Sequence, residues 1–319
     1  MAWFEMIEKK ATREGFGDAM YALGHQNPKV TALCADLSGS LKLNKFIEAF
    51  PDRFYQCGIA EANMVGVAAG MATAGLIPFT ATFANFSTSR VFDQVRQSVA
   101  YSAKNVKLCA SHAGLTLGED GASHQVMEDI AMMNALPGMV VINPCDYNQT
   151  FRATQAIADY PGPVYLRFGR PGVPNFFPDS EPFEIGKAWH LHAGENVSVF
   201  ATGHMVWKAQ EAAKALEEEG ISVDLVNIHT IKPLDEEAVL RSVRKTGCAV
   251  VAEEHQQQGG LGAKIATLAA QQHPVPMRFV ALDDRFGESG KPEDLLRKYK
   301  LDTPDIIEAV RSVHTLVNA

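Results

Sequence analysis

The sequence lacks three features that mark large classes of protein. Acidic residues outnumber basic ones and give a net charge of −8, so a basic surface for nucleic acid is not expected. The best candidate for a membrane span, residues 64–74, is short and rich in Ala and Gly. Residues 1–15 carry Glu and Lys among the apolar residues, which does not fit a signal peptide. We therefore expect no nucleic-acid partner, no membrane partner and a cytoplasmic location.

Cysteine is also scarce. No C-x-x-C pair occurs among the five cysteines, which are Cys34, Cys57, Cys109, Cys145 and Cys248. A disulfide framework or a cysteine metal site is therefore not expected, and reduced thiols fit the cytoplasm. The composition, 46% hydrophobic and 21% charged over 319 residues, is typical of a globular protein and favours two domains.

Short apolar or β-branched runs alternate with helical patterns in the first half of the sequence. The predicted strands are 29–35, 54–57, 78–83, 106–111, 139–142 and 164–168. The predicted helices are 42–50, 61–74, 89–103, 125–134 and 147–159. This alternation is typical of βαβ units, in which helices cover a mostly parallel sheet.

The alternation stops at residues 170–183, which contain four prolines and no helical period. It then resumes with strands at 197–201, 223–227, 249–253 and 278–281, and with helices at 207–219, 260–272, 293–299 and 304–317. We predict an α/β fold of two doubly wound, mostly parallel-sheet domains. The first spans 1–170, the linker 171–184 and the second 185–319.

Polar clusters follow several of the predicted strands, at residues 36–40, 58–61, 83–86 and 111–112. In doubly wound folds, ligands bind beyond the carboxyl ends of the strands. Several such clusters in one domain predict a shared pocket.

Glu61 stands where a predicted strand ends and a strongly apolar helix begins. The helix dipole and the unpaired N–H groups favour a carboxylate there, so Glu61 can be explained as a capping residue. It can also be explained as a partly buried acid that exchanges a proton with a heterocycle. The sequence pattern leaves both explanations open.

Residues 111–125 join a predicted strand to a predicted helix and are too many for a tight turn. His112 and His124 flank several glycines together with Glu119 and Asp120. Histidine can donate to hydroxyl or phosphate groups and move protons near neutral pH, and glycine lets a ligand approach closely. A metal site and a solvated structural loop are the other interpretations, although no compact ligand spacing appears.

Phe83 and Phe86 lie at the end of the third predicted strand. Two aromatic residues at this spacing either pack in the core or form a hydrophobic wall for a flat ring.

Three arginines, Arg13, Arg167 and Arg170, stand near predicted element ends. Isolated arginines are usually solvated. An arginine at a strand end near Ser40 could instead hold a phosphate by bidentate hydrogen bonds.

Four of these segments together resemble the transketolase family. Residues 118–125, GEDGASHQ, are similar to the family's G-E-D-G-P-T-H-Q. Residues 35–40, ADLSGS, resemble A-D-L-x-x-S; residues 58–61, GIAE, resemble G-V-R-E; and residues 82–86, TFANF, resemble T-F-x-x-F. The resemblance covers nearly the whole chain and corresponds to the C-terminal half of a full-length transketolase. It implies a pyrimidine-binding domain followed by the family's C-terminal domain.

The resemblance implies thiamine diphosphate as the cofactor. Glu61 matches the catalytic glutamate that protonates the aminopyrimidine ring, and Phe83 and Phe86 match aromatic residues that pack against that ring. Asp36 matches a residue near the cofactor at a subunit interface.

The resemblance also implies a site for sugar phosphates. His124 and Asp120 match groups that bind sugar hydroxyls, and His124 is also expected to take part in catalysis. The sugar phosphate would be held by four residues: Arg13, Ser40, His112 and Arg167.

The sequence departs from the family's pattern in three respects. No G-D-G followed by N-N appears, so the Mg²⁺ ligands for the diphosphate are missing and are expected from a separate N-terminal subunit, in an assembly such as α2β2. Ser89 stands where transketolases have an aromatic residue, and Ala60 replaces an arginine. These two differences concern the pyrimidine pocket and the choice of donor and acceptor.

Three other functions remain open. The β subunit of a 2-oxo-acid dehydrogenase has a similar length and plan, but a 2-oxo acid offers no hydroxyls for the loop at 118–125. A 1-deoxyxylulose-5-phosphate synthase-like enzyme is the second. The third is a non-catalytic regulatory or binding subunit, which retention of Glu61, His112, Asp120 and His124 argues against.

Overall fold

A computed structural model describes residues 3–318, which form two α/β domains and a small two-stranded ribbon. Its strands are β1 (Glu8–Ala11), β2 (Val30–Cys34), β3 (Phe54–Gln56), β4 (Ile77–Phe83), β5 (Lys107–Ser111), β6 (Val140–Ile142), β7 (Val164–Arg167), β8 (Gly172–Asn175), β9 (Trp189–His192), β10 (Val197–Ala201), β11 (Val223–Asn227), β12 (Thr230–Lys232), β13 (Ala249–Gln256) and β14 (Met277–Leu282).

The α-helices of the described residues lie between and after these strands. They are α1 (Thr12–Gln26), α2 (Asn44–Ala49), α3 (Glu61–Thr73), α4 (Ala84–Thr88), α5 (Phe92–Gln94), α6 (Asp129–Asn134), α7 (Tyr147–Asp159), α8 (Met205–Glu218), α9 (Glu236–Thr246), α10 (Leu261–Gln272), α11 (Pro292–Lys298) and α12 (Thr303–Asn318). A π-helical segment, Val95–Tyr101, continues α5.

The expected fold class is confirmed. The first domain has a seven-stranded sheet in the order β12-β6-β7-β5-β4-β2-β3, in which every pairing is parallel except that of β12. The second domain has a five-stranded sheet, β14-β13-β10-β11-β9, in which only β9 is antiparallel. The central strands β2, β5, β10 and β11 are buried throughout, as strands covered by helices on both faces must be.

The proline-rich segment is more ordered than a simple linker. Within it, β8 pairs with β1 in an antiparallel ribbon. The next two residues, Phe176 and Phe177, are buried, and their N–H groups donate to the Asp146 carboxylate at 2.8 and 2.6 Å. Burial raises the pKa of Asp146 to about 6. These bonds fix the path of the chain between the domains.

One strand crosses between the domains. β12 follows β11 of the second domain in sequence but pairs with β6 at the edge of the first sheet. Sequence pattern gave no sign of β12, because three residues are too few to show an alternation. Its pairing covers an edge strand that would otherwise present unpaired backbone groups.

Other elements also differ from the expected pattern: β1, β8 and β9 were not predicted, and the helix expected over 89–103 begins only at Phe92. α1 was not predicted, because Gly15, Gly17 and Gly24 lower helix propensity. A Cβ on Gly15 would lie 2.4 Å from the Tyr147 carbonyl oxygen, so glycine there allows α1 and α7 to pack closely. The helix expected over 125–134 begins only at Asp129, and the preceding loop is correspondingly longer.

A buried polar cluster joins the two domains. Asp129 Oδ2 accepts a hydrogen bond from Tyr165 Oη at 2.6 Å and another from Arg167 Nε at 2.8 Å. Arg167 Nη2 donates to the Glu254 carbonyl oxygen of β13 at 2.9 Å. Asp129 is 0% exposed and Arg167 is 3% exposed. Because both charges are removed from water, each depends on the other for stabilisation.

We predict that Asp129→Ala lowers the free energy of unfolding by about 3–5 kcal/mol, because it leaves the Arg167 guanidinium buried and unpaired. Urea denaturation at pH 7 measures the change. Glu237→Gln is the matched control, since its pair with Arg241 lies on an exposed helix face and should change nothing measurable. Equal effects of the two substitutions would show that the cluster is not a stabilising contact.

Candidate active site

The carboxyl edge of the first sheet gathers an acid and two aromatic rings. Glu61 is the first residue of α3, follows β3 and is 2% exposed. Phe83 ends β4, Phe86 lies in α4, and their ring centroids are 5.9 Å apart with planes 19° from parallel. The parallel strands end at the same edge, which is why residues from distant parts of the sequence meet here.

Arg90 joins the acid to the aromatic rings. Its Nη1 donates to Glu61 Oε2 at 2.9 Å, and its guanidinium carbon lies 4.3 Å from the centroid of the Phe86 ring. The Arg90 side chain is 49% exposed, whereas that of Glu61 is 3% exposed. An arginine from the surface therefore reaches inward to a buried carboxylate. Sequence analysis did not identify Arg90.

His112 extends the aromatic wall. Its ring stacks on Phe83 at a centroid distance of 3.9 Å, and its Nδ1 lies 2.8 Å from Ser111 Oγ. Burial, together with the positive charges of Arg13 and Arg170, lowers the pKa of His112 to about 3. The imidazole is therefore neutral near pH 7 and carries one N–H donor.

Two arginines line an open cleft of about 400 Å³ beside His112. Arg13, in the first turn of α1, donates to the Ser40 carbonyl oxygen at 3.0 Å. Arg170 donates to Glu119 Oε2 and to the Leu117 carbonyl oxygen, both at 2.6 Å. Burial, followed by the charge of Arg170, lowers the pKa of Arg13. Two guanidinium groups that repel each other form a ready site for an anion.

Arg167 does not lie in this cleft, contrary to its expected role in holding a phosphate. Its guanidinium is 3% exposed and is held by Asp129 and by the carbonyl oxygen of Glu254. The residue that faces the cleft is Arg170, which lies just beyond β7 rather than at its last position. Arg167 ends β7 and Arg170 lies three residues beyond it, and the sequence pattern could not show which one reaches the cleft.

The remaining expected site residues lie around the same edge. His124 contacts Phe86 edge to face at 5.4 Å, and its Nδ1 lies 2.9 Å from Ser123 Oγ. Asp120 is exposed at the tip of its loop. Asp36 is also exposed and has a positive φ of 58°, and its N–H donates to Gln56 Oε1 at 2.8 Å.

The second domain holds the loop at residues 111–125 in place. Glu254 Oε1 accepts from the Thr116 N–H at 2.6 Å, and burial raises the pKa of Glu254. Gln125 Nε2 donates to the Leu115 and Glu288 carbonyl oxygens at 3.1 and 3.0 Å. Gly114 has a φ of 80°, and a Cβ there would collide with the Glu254 carboxylate. The position of the loop therefore depends on residues of the other domain.

Residues 3–318 contain neither a metal-binding cluster nor a membrane-spanning helix. No cluster of three or more His, Cys, Asp or Glu side chains is arranged to hold a metal ion in this part of the chain. Among its helices, none combines the length and the apolar character needed to cross a bilayer.

Comparison with known proteins matches both domains. Residues 8–175 match the family model for the transketolase pyrimidine binding domain, and residues 186–306 match that for the transketolase C-terminal domain. A Methanocaldococcus jannaschii protein named as a transketolase C-terminal section is 42% identical over 304 residues, which cover 94% of this chain and 95% of that one.

Two further proteins are similar over almost their full length. The 6-deoxy-6-sulfo-D-fructose transketolase subunit SqwH of Clostridium sp. (strain MSTE9) is 40% identical, over 96% of this chain and 95% of that one. A solved structure described as a split gene transketolase, inactive beta4 tetramer, superimposes with a TM-score of 0.91 and 46% identity, covering 96% of this chain and 99% of that one.

We predict that His112 makes stability depend on pH in mild acid. The unfolded chain takes up a proton on this residue near pH 6.5, whereas the folded chain does so only near pH 3, so stability falls as the pH drops through this window. His112→Gln should reduce the loss of unfolding free energy between pH 7 and pH 5 by about 2 kcal/mol. Urea denaturation at the two pH values measures it.

His273→Gln, outside the site, serves as the control and should leave the pH dependence unchanged. A pH dependence of His112→Gln equal to that of the unmodified protein would show that His112 is not held neutral by its surroundings.

Proposed function

Because the chain belongs to the transketolase family, we propose that it is the subunit of a thiamine-diphosphate-dependent transketolase that carries the pyrimidine-binding and C-terminal domains. The reaction moves a two-carbon ketol unit from a ketose phosphate to an aldose phosphate. One observation carries this proposal. Phe86, Phe83 and His112 form a row of aromatic rings. Arg90 links Glu61 to the Phe86 end, and the positive charges of Arg13 and Arg170 act on His112 at the other end.

The acidic end of the site fits the aminopyrimidine ring of the cofactor. Phe83 and Phe86 offer nearly parallel aromatic surfaces, and the buried Glu61 carboxylate lies beside them. When bound, thiamine diphosphate would supply carbanion chemistry, namely a nucleophilic carbon and an electron sink for the cleavage of a carbon–carbon bond. Glu61 would share a proton with the pyrimidine ring, and the two phenylalanines would orient the ring.

The other end fits a sugar phosphate. Arg13 and Arg170 supply two cations for the phosphate, with Ser40 and the neutral imidazole of His112 beside them. His124 and Asp120 would bind sugar hydroxyls, and His124, whose ring contacts Phe86, would also take part in catalysis. Holding the remote phosphate fixes the reacting end of the sugar against the cofactor.

A second subunit is part of this proposal. The sequence has no G-D-G followed by N-N for Mg²⁺ and the diphosphate. Relatives of the same extent are named as a section or a subunit of a transketolase. We therefore assign the diphosphate and Mg²⁺ to an N-terminal transketolase subunit, in an α2β2 assembly.

We predict ketol transfer only when this chain is combined with such a subunit. The assay uses thiamine diphosphate, Mg²⁺, a ketose phosphate donor and an aldose phosphate acceptor. Glu61→Gln in the complex should lower kcat by about hundredfold or more, since proton transfer by a positioned side chain contributes at least that much.

Glu237→Gln, on the exposed face of α9, is the control for this experiment and should keep full activity. Efficient transfer by the pure chain alone would disprove the two-subunit proposal. Pyruvate decarboxylation without ketol transfer would identify a 2-oxo-acid dehydrogenase subunit instead.

We further predict that Arg170→Gln lowers kcat/KM for a phosphorylated acceptor by about 10–100-fold, because one charge-assisted hydrogen bond is lost. The loss should disappear with glycolaldehyde, which has no phosphate. Arg152→Gln is the control, since Arg152 donates to the Asp179 carbonyl oxygen away from this cleft. An equal loss with both acceptors would remove Arg170 from the phosphate site.

A further inference from the structure

The guanidinium of Arg90 makes two contacts that are characteristic of a bound ring. It lies over the ring of Phe86, with 4.3 Å between its central carbon and the ring centroid, and it donates to Glu61 at 2.9 Å. The first contact uses the aromatic face, and the second uses the buried carboxylate. These are the same two groups that an aminopyrimidine needs, namely a face to stack on and an acid at its edge.

Arg90 and an aminopyrimidine therefore exclude each other. Glu61 Oε2 is the oxygen that Arg90 contacts, and only 3% of the Glu61 side chain is exposed, so there is no room for two partners to approach from solvent. Phe86 is also limited, because His124 packs against it edge to face. A ring that stacks on Phe86 and reaches Glu61 must first displace the guanidinium.

The backbone around Arg90 allows this movement. α4 ends at Thr88 and the next helix begins at Phe92, so Arg90 lies in a short break between two helices. Val91 is fully buried and anchors one side of the break, while Ser89 is exposed on the other. Because the Arg90 side chain is 49% exposed, it can turn into solvent without leaving a cavity in the core.

We infer that Arg90 is a gate for the cofactor: its guanidinium occupies the place of the aminopyrimidine, keeps Glu61 paired, and has to swing outward before thiamine diphosphate can bind. This inference rests on the proposed function for the identity of the ring. Arg90 thus lowers cofactor affinity, whereas Phe86 and Glu61 raise it. The small side chain of Ser89 leaves space for the outward position.

The test measures binding rather than turnover. The dissociation constant of thiamine diphosphate with Mg²⁺ is determined by calorimetry for the assembled complex. Arg90→Gln should bind the cofactor about tenfold more tightly than the unmodified complex. Arg90→Lys should fall between the two, because it keeps the charge beside Glu61 but has no flat group to place on Phe86.

Arg96→Gln is the matched control, since Arg96 is an exposed arginine of the next helical segment and should leave the affinity unchanged. Thermal unfolding confirms that each variant is folded. Unchanged or weaker cofactor binding by folded Arg90→Gln would overturn the inference and make Arg90 a residue that helps to hold the cofactor.

A second arm needs no partner subunit. The isolated full chain is titrated with 4-amino-5-hydroxymethyl-2-methylpyrimidine, the ring portion of the cofactor, and binding is followed by ligand-observed NMR. The fragment should bind Arg90→Gln more strongly than the unmodified chain, and Glu61→Gln combined with Arg90→Gln should lose this gain. Equal binding to the unmodified chain and Arg90→Gln would overturn the gate.

The two arms separate the gate from the proposed function. A complex without ketol transfer, together with the fragment results expected above, would reject the transketolase reaction and keep the gate. Ketol transfer by the complex, together with equal fragment binding by the unmodified chain and Arg90→Gln, would support the transketolase reaction and reject the gate.

Discussion

The parallel pairing of β3, β2, β4, β5 and β7 is the constraint on which the site depends. Parallel strands end at the same edge of a sheet, so the segments that follow these strands all begin along that edge. Glu61, Phe83 and His112 are far apart in sequence and meet there because β3, β4 and β5 belong to one parallel stretch of the sheet, with only β2 between β3 and β4. An antiparallel arrangement of the same strands would send alternate segments to the opposite edge.

The second domain completes this edge. It supplies Glu254, which accepts from Thr116, and the Glu288 carbonyl oxygen, which accepts from Gln125. The ion pair of Asp129 with Arg167 lies behind the same loop and is joined to β13. The buried charges thus help to fix the position of the loop at residues 111–125. The free-energy cost of burying these charges is offset only while the two domains stay in contact.

Charge is distributed unevenly along the site. At one end, Arg13 and Arg170 concentrate positive charge around a histidine that is too buried to carry any, which suits the remote anion of a sugar phosphate. At the other end, the Glu61 carboxylate is balanced by Arg90, a residue in the short break between α4 and α5. Arg13 and Arg170 repel each other although Glu119 pairs with Arg170, whereas the Glu61 carboxylate is paired directly with Arg90. The two ends of the proposed site therefore differ in their electrostatic character.

The sequence by itself determined the fold class, because alternating apolar runs and helical periods dictate layered α/β domains, and its motifs indicated Glu61, Phe83, Phe86, His112 and His124. It did not reveal α1, whose glycines hide the helical pattern, or β12, which is too short to show one. It also could not choose between Arg167 and Arg170. Both lie at the carboxyl end of the same strand, and only tertiary packing, through the buried carboxylate of Asp129, decides which one is neutralised in the interior. Arg90 likewise acquires its two contacts only when α3 and α4 are brought together, since local sequence cannot specify a partner from another element.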